Sequence, residues 1–534
     1  MTRCLRSAFV LAPLIVALPA HAQGSGVGTV RFETSCAPSV QAIFATGVAH
    51  LHSFGFRDAD RTFNAVLAAD STCAMAYWGL ALSAWGNPFA AGIKPNAQLE
   101  RGLTAVTRGQ SLNRGTERER ALLAAAARLY ENHTSADQRT RVTAYRDAMA
   151  DVSAKYPRDD ETAIFYALAL AFSADPNDKT YTQQRKAGDI LERLAARLPN
   201  HPGIAHYLIH SYDVPALAAE GLPAANRYAT IAPSSAHALH MPSHTYTRVG
   251  KWGESIATND KSARAAVAEQ SIAEALHARD YMVYAYLQTG QDTAAARVLA
   301  DVPGLAQRFD PTVAGTGAPP AAAFFAIAAI PARYALERGD WKGASALQVR
   351  ETSFPFTDAI TWFTRGLGAA RLGDTVSSAE SVRQLARITD ALGAKKEAYW
   401  SQQVDIQRRA VEAWLQWARG SRSDAITQMR AVADLEATTE KNAITPGPIV
   451  PARELLGEML LEHGDGAAAL RELEATLANE PGRFRALAGA MRAAEVMGDS
   501  ARVRRLAQQL AGMAQRGDRP GRPDLARARR ISGR

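Results

Sequence analysis

Gly464 in "LEHGDGAAAL" and Gly498 in "EVMGDSARV" stand 34 residues apart, each between two amphipathic stretches. A recurring unit of that length is too short to bury its own apolar face, so its copies must stack into a continuous helical array. That one spacing constrains the fold more than any other feature. It predicts two antiparallel helices per unit, with a glycine where the chain reverses in a left-handed conformation.

Thirty-four residues is the length of a tetratricopeptide repeat. Its pattern fits Leu456-Gly457, Gly464, Ala469 and Pro481, where small residues let the helices approach, glycine turns the chain and proline stops the second helix. The same register holds for Gly47, Phe56, Ala59 and Phe63, and for Tyr246, Gly250 and Trp252. It continues through Tyr286, Gly290 and Ala295, then Gly339, Trp341 and Ala344. Five weak matches in one register predict an all-α solenoid of hairpins, against the alternative of an irregular helical bundle. Longer breaks fall at residues 86–96, 302–320 and 441–451. The last two divide the expected array into residues 23–302, a middle segment 321–440 and a C-terminal pair 452–515.

The first 22 residues read as a cleavable leader: Arg3 and Arg6, an apolar run from Ala8 to Leu18, and Ala20-His21-Ala22 as a small-x-small signal. A periplasmic or secreted protein is therefore expected, and no later stretch has the apolar length of a membrane span. Cys4 would leave with the leader. The remaining Cys36 and Cys73 flank the first hairpin at the same end, so a disulfide is expected there. Such a bridge would stabilise the first hairpin by roughly 3 to 4 kcal/mol. The net charge of +8 does not point to nucleic acid: the leader holds two of those charges, and residues 516–534, with seven Arg against two Asp, hold five. The body is close to neutral, and this Pro/Gly/Arg-rich end is expected to be a disordered, solvated tail.

Seven of the twelve histidines lie between His201 and His277. With Gly250 at the turn, His237, His240 and His244 occupy positions 2, 5 and 9 of a first helix, within a 60° arc on the concave side. With Gly290 at the turn, His277, Asp280 and Tyr284 take the same positions. His206, His210 and Asp213 share a face of the preceding helix. Three neighbouring helices would thus line one stretch of groove. Pro242 marks a kink or first turn, which leaves His237 to a preceding turn.

Three uses of this constellation are open. Imidazoles spaced i, i+4 can share a metal ion, with His206, His210, His240 and His244 as the first candidates and His237, His277 and Asp280 as alternates. An all-N/O set suits Zn, Cu, Fe or Mn, and metal-activated water or oxygen chemistry would be the type of any reaction. A metal-free groove could instead hold a peptide carboxylate or an acidic glycan, and simple packing is the third use. His201 reads as structural, and His50, His52, His133 and His463 receive no role. Glu161, Tyr166 and residues 178–181 could extend the groove or form a solvated face. Trp78, Trp85 and Phe89 read as core plus loop, or as an aromatic wall for a ligand. No nucleophile elbow, phosphate loop, dinucleotide fingerprint or His-Glu-x-x-His sequence is present.

The segments "TSCAPSVQAIFATGVAHLHSF", "CAMAYWGLALSAWGNPF", "HPGIAHYLIHSYD", "HALHMPSHTYTRVGKW" with "SIATND", and "PGPIVPARELLGEMLLE" span most of the mature chain. On them the chain resembles a family of exported bacterial tetratricopeptide-repeat proteins of uncharacterised function. Where such sequences often read "HIFTRLG", this one has "HTYTRVG" and keeps its three histidines. The resemblance implies repeat architecture and export, and no particular reaction. The expected function is a binding module whose groove from His206 to Asp280 holds a protein, peptide or small ligand, and the competing expectation is a metalloprotein at the same place.

Overall fold

The computed structural model describes residues 26–533 except 91 and 314, and every regular element among them is a helix. The leader expected at residues 1–22 lies outside the described residues. The helices run as successive antiparallel hairpins, each packed on the next, which is the α-solenoid of tetratricopeptide type that the 34-residue spacing predicts.

One local device repeats along the chain. At Gly250, Gly290, Gly339, Gly464 and Gly498 the backbone is left-handed, with φ between +65° and +92°. The residue after each glycine donates its N–H to the carbonyl five residues before its own position, at 2.8 to 3.0 Å, which satisfies a carbonyl that the helix end leaves open. Gly373 and Gly420 make the same turn, two repeats that sequence spacing alone did not separate from the background. In the first hairpin, Phe54 takes the left-handed position at φ +54°. After Gly339, Gly373, Gly464 and Gly498 comes an Asp whose carboxylate caps the next helix, so the pair Gly-Asp ends one helix and starts another.

Small residues sit where helices touch. A Cβ at Gly457 would stand 2.6 Å from Leu473, and one at Gly47 would stand 2.8 Å from the Phe63 ring. Cys36 and Cys73 meet at bonding distance, with Cα atoms 4.8 Å apart, at the shared end of the first hairpin. The apolar core falls into two main bodies, one from Phe32 to Tyr246 and one from Ile272 to Ala528. The break between them lies at the histidine helices. The middle and C-terminal segments, expected to be divided near residue 441, share a single core.

The end of the chain departs from expectation. Residues 523–532 form the helix Pro523–Ser532, in which Leu525 and Ala528 are fully buried. Arg522 turns inward to Asp292 at 2.6 Å, and Arg529 donates to the carbonyls of Ala514, Gly517 and Asp518. Composition counted these arginines as a solvated charge run. Their partners are carboxylates and the open carbonyls of a preceding helix end, which distant sequence does not announce.

A buried ion-pair network joins the later hairpins. Arg483, fully buried, donates to Glu337 at 2.6 Å, to Glu454 at 2.5 Å and to the Tyr284 hydroxyl at 3.0 Å. Removing one member strands the others without solvent. Arg483→Met is therefore expected to destabilise the protein by about 3–5 kcal/mol, read as a lower urea midpoint with the helical circular dichroism of the folded state retained.

Candidate functional site

The helix Pro202–Ser211 carries His206 and His210, with Pro202 at its first turn and His210 near its end. His237 and His240 lie on Ala236–His240, and His244 lies on Pro242–Arg248. Met241 between them keeps right-handed helical angles, so the chain stays helical through Pro242, and His237 is not displaced into a turn as expected. His277 comes from Ile272–Gln288. All six rings are buried, none more than 8% exposed.

The open groove expected for these residues is therefore closed. Each of the three breaks in the repeat pattern folds over the histidines. Phe89 from residues 86–96 stacks on His210 with ring centroids 3.9 Å apart and planes within 9°. Gly317 from residues 302–320 packs so closely on His237 that a Cβ there would stand 2.5 Å from the ring. Lys441 from residues 441–451 reaches Asp213 at 2.8 Å. The loops hold one another as well, since Asn87 donates to the carbonyl of Gly317 at 2.7 Å.

The rings sort into two groups of three. Ring nitrogens of His206, His210 and His237 lie within 4.8 Å of one another, and so do those of His240, His244 and His277. The expected set of His206, His210, His240 and His244 is divided between them, each i, i+4 pair gaining a third ring from another helix. The groups are neighbours: His210 and His244 have ring centroids 5.9 Å apart, and His237 and His240 6.2 Å.

Hydrogen bonds fix which nitrogen carries the proton in four of the rings. His206 Nδ1 donates to the carbonyl of His52 at 2.6 Å, and His237 Nδ1 donates to Glu274 Oε1 at 3.0 Å. Glu274 is itself held by the N–H of Ala318 at 2.6 Å. Burial would raise the Glu274 carboxyl, and His237 outweighs it, leaving the group below its ordinary range. His240 Nδ1 donates to Asn259 Oδ1 at 2.7 Å, and His244 Nδ1 to Asp213 Oδ2 at 3.0 Å. For Asp213, the upward push of burial is overcome by Lys441 and Arg248, which hold it well below the ordinary carboxylate range. Burial, reinforced by the other imidazoles, holds His206, His210 and His240 well below the usual histidine range, and pushes His277 down to about 3. These rings are neutral at pH 7.

The Nε2 atoms of His206, His210 and His237 are all buried and, among the described residues, none has a hydrogen-bond partner. An unsatisfied buried ring nitrogen is costly, and three converging ones call for a ligand. Imidazole nitrogens about 2.0–2.1 Å from one ion stand roughly 3.3 Å apart in a tetrahedral set, and the ring nitrogens here lie within 4.8 Å of one another.

Not every expected residue belongs here. Asp280 is paired with Arg333 at 2.9 Å, both fully buried, and Tyr284 joins Glu480 and Arg483. Asp280 and Tyr284 both stand on the helix that carries His277, and these buried partners rather than the imidazoles take their polar atoms. Glu161, one of the expected groove extensions, lies between His52 and His201, accepting from each at 3.0 Å, with Tyr207 at 2.9 Å on the other nitrogen of His52. That carboxylate has its two imidazole donors, and the cluster braces the carbonyl that anchors His206. Sequence reasoning passed over His52 and Asn259. Asn259 sits in "SIATND", one of the segments of the family resemblance, which was its one signal.

A cavity of about 860 Å³ reaches the site at His210 and Asp213, and Trp85, Phe89, Phe172, Lys94 and Lys441 are among its lining residues. Among the described residues no helix is long and apolar enough to cross a membrane.

No family model and no curated protein matches the chain. Among solved structures, it is similar to a chain of the APC/C hetero-tetramer Cut9-Hcn1, at 10% identity over 93% of this chain and 97% of that one, with a TM-score of 0.31. It is similar to human IFIT1 in a dimer with m7Gppp-AAAA, at 10% identity over 78% and 87% of the two chains and a TM-score of 0.36. Human IFIT1 with PPP-AAAA gives 10% identity, 87% and 94% coverage and a TM-score of 0.34. Likeness of this order says nothing about the histidines.

The hydrogen-bond pattern makes a direct spectroscopic forecast. Histidines in water favour the proton on Nε2, whereas His206 and His237 should carry it on Nδ1. Long-range ¹H–¹⁵N correlation of the labelled, metal-free protein is expected to show these two rings with Nδ1 protonated and Nε2 bare.

Proposed function

We propose that the chain is an exported helical-repeat metalloprotein that binds a transition-metal ion at His206, His210 and His237. One observation carries this reading: three buried Nε2 atoms without partners among the described residues, on rings whose nitrogens lie within 4.8 Å of one another, two of them anchored through Nδ1 to a carbonyl and a carboxylate. Metal-binding histidines are oriented in that way, with the far ring N–H donated to such an acceptor.

The ligand set narrows the metal. Three imidazoles without thiolate or carboxylate favour Zn or Cu over Mn, which prefers oxygen donors, and over non-haem Fe, which usually takes a carboxylate. Cys36 and Cys73 are tied to each other and offer no thiolate. That pairing also supports the oxidising compartment that the leader implies. A groove that grips a protein or peptide through its histidines is less favoured, because the rings lie under three loops and only the edge at His210 and Asp213 meets a cavity that a small ligand could enter. The solenoid here acts as the wall of a chamber.

Protein stripped with chelator, loaded with Zn(II) and dialysed is expected to retain stoichiometric zinc by elemental analysis. The His206→Ala/His237→Ala protein should lose one equivalent while keeping its helical circular dichroism. Wild-type protein that retains no stoichiometric Zn or Cu would refute the reading.

A further inference from the structure

The second group of rings presents a sharper problem. Asn259 donates its Nδ2 to the carbonyl of Ser255 at 2.8 Å, which leaves Oδ1 to face His240 as an acceptor. His240 must therefore carry its proton on Nδ1. Asp213 is an ionised carboxylate clamped by Arg248 at 2.9 Å and Lys441 at 2.8 Å, so His244 must donate to it from Nδ1 as well. Each neutral ring has one proton to place. Both are spent, and the two Nε2 atoms nevertheless face each other at 3.0 Å.

Two bare lone pairs at hydrogen-bond distance repel, and an electrophile must lie between them. Water alone would have to give both of its protons across a gap that leaves it no room. His277 brings a third ring to the same place, its centroid 4.4 Å from that of His240, and its Nδ1 is buried with no partner among the described residues. Nitrogens 3.0 Å apart are close to the separation that two imidazoles adopt on one ion at about 2.0–2.1 Å.

We infer that His240, His244 and His277 hold a second transition-metal ion beside the first, so that six imidazoles form one two-metal centre. The inference rests on the reading of the chain as a metalloprotein and extends it to a pair of ions. The adjacency of His210 to His244 and of His237 to His240 sets the ions side by side, as in two-metal sites that act on one small molecule. The charge balance points to that molecule. Asp213 is already matched by two cations, so Glu274 is the remaining carboxylate that touches a ligand histidine. Two divalent ions exceed it, and a small anion entering along the cavity lined by Lys94 and Lys441 would offset part of the excess.

The remaining electrophile is a proton, shared by a His240–His244 pair with one ring charged. Copper counting separates the two. Chelator-stripped wild type, loaded with Cu(II) and dialysed, is expected to hold two equivalents, and its electron paramagnetic resonance should integrate to well under two spins because adjacent cupric ions couple. His240→Ala/His244→Ala and His206→Ala/His237→Ala should each hold one equivalent with a full single-spin signal, and His277→Asn should weaken only the second equivalent. One equivalent in wild type that survives in His240→Ala/His244→Ala would overturn the second ion and leave the first reading standing. A single equivalent lost in either double variant would overturn the pair in favour of one shared ion, and no copper in wild type would remove both readings. The wild-type count and spin integral require no variant to fold.

Discussion

Taking an imidazole out of water leaves two polar nitrogens to be satisfied, and this chain does so six times in one place. The solution is the same in the four rings whose proton position is fixed. One nitrogen is tied to a rigid acceptor, and the other is turned toward a common centre. The acceptors are a main-chain carbonyl, a carboxylate pinned by a backbone N–H, an amide oriented by its own helix, and a carboxylate clamped by two cations. Such anchors work only if the helices that carry them are fixed within fractions of an ångström, which explains why the surrounding repeats are packed through glycine and alanine contacts rather than loosely stacked.

The repeat geometry was legible because it is local. A glycine and the helix it ends lie within one turn of each other in sequence, so Gly250, Gly290 and Gly464 could be placed by spacing alone. The ring positions of His237, His240 and His244 on one face followed from helical periodicity. What could not be read is everything that depends on which distant segment meets that face. His52 anchors His206 through its main-chain carbonyl, which any residue type could supply. Asp280 and Arg333 find each other across hairpins, and neither announces the other in sequence. The tail misled in part for the same reason, since the carboxylate that pairs with Arg522 is Asp292, 230 residues away.

The breaks in the repeat have a different standing from the repeats. Read as interruptions, residues 86–96, 302–320 and 441–451 looked like boundaries between segments. In space they are the three pieces that cover the centre, through Phe89, Gly317 and Lys441, leaving it open toward the cavity at His210 and Asp213. A solenoid ordinarily offers its concave side to a partner. Here inserted loops occupy that side, and the architecture that elsewhere presents a surface instead encloses a volume.

The carbonyl of His52 and the clamp of Lys441 lie almost four hundred residues apart, and both bear on the same rings. No partial chain emerging in order can therefore present the completed centre. An ion that depends on the completed centre would be acquired only once residue 441 has joined the fold. For an exported chain that means beyond the membrane, where the choice between zinc and copper is made by local supply more than by the affinity order that favours copper. The position of one lysine in the sequence thereby ties completion of the centre to a late stretch of the chain.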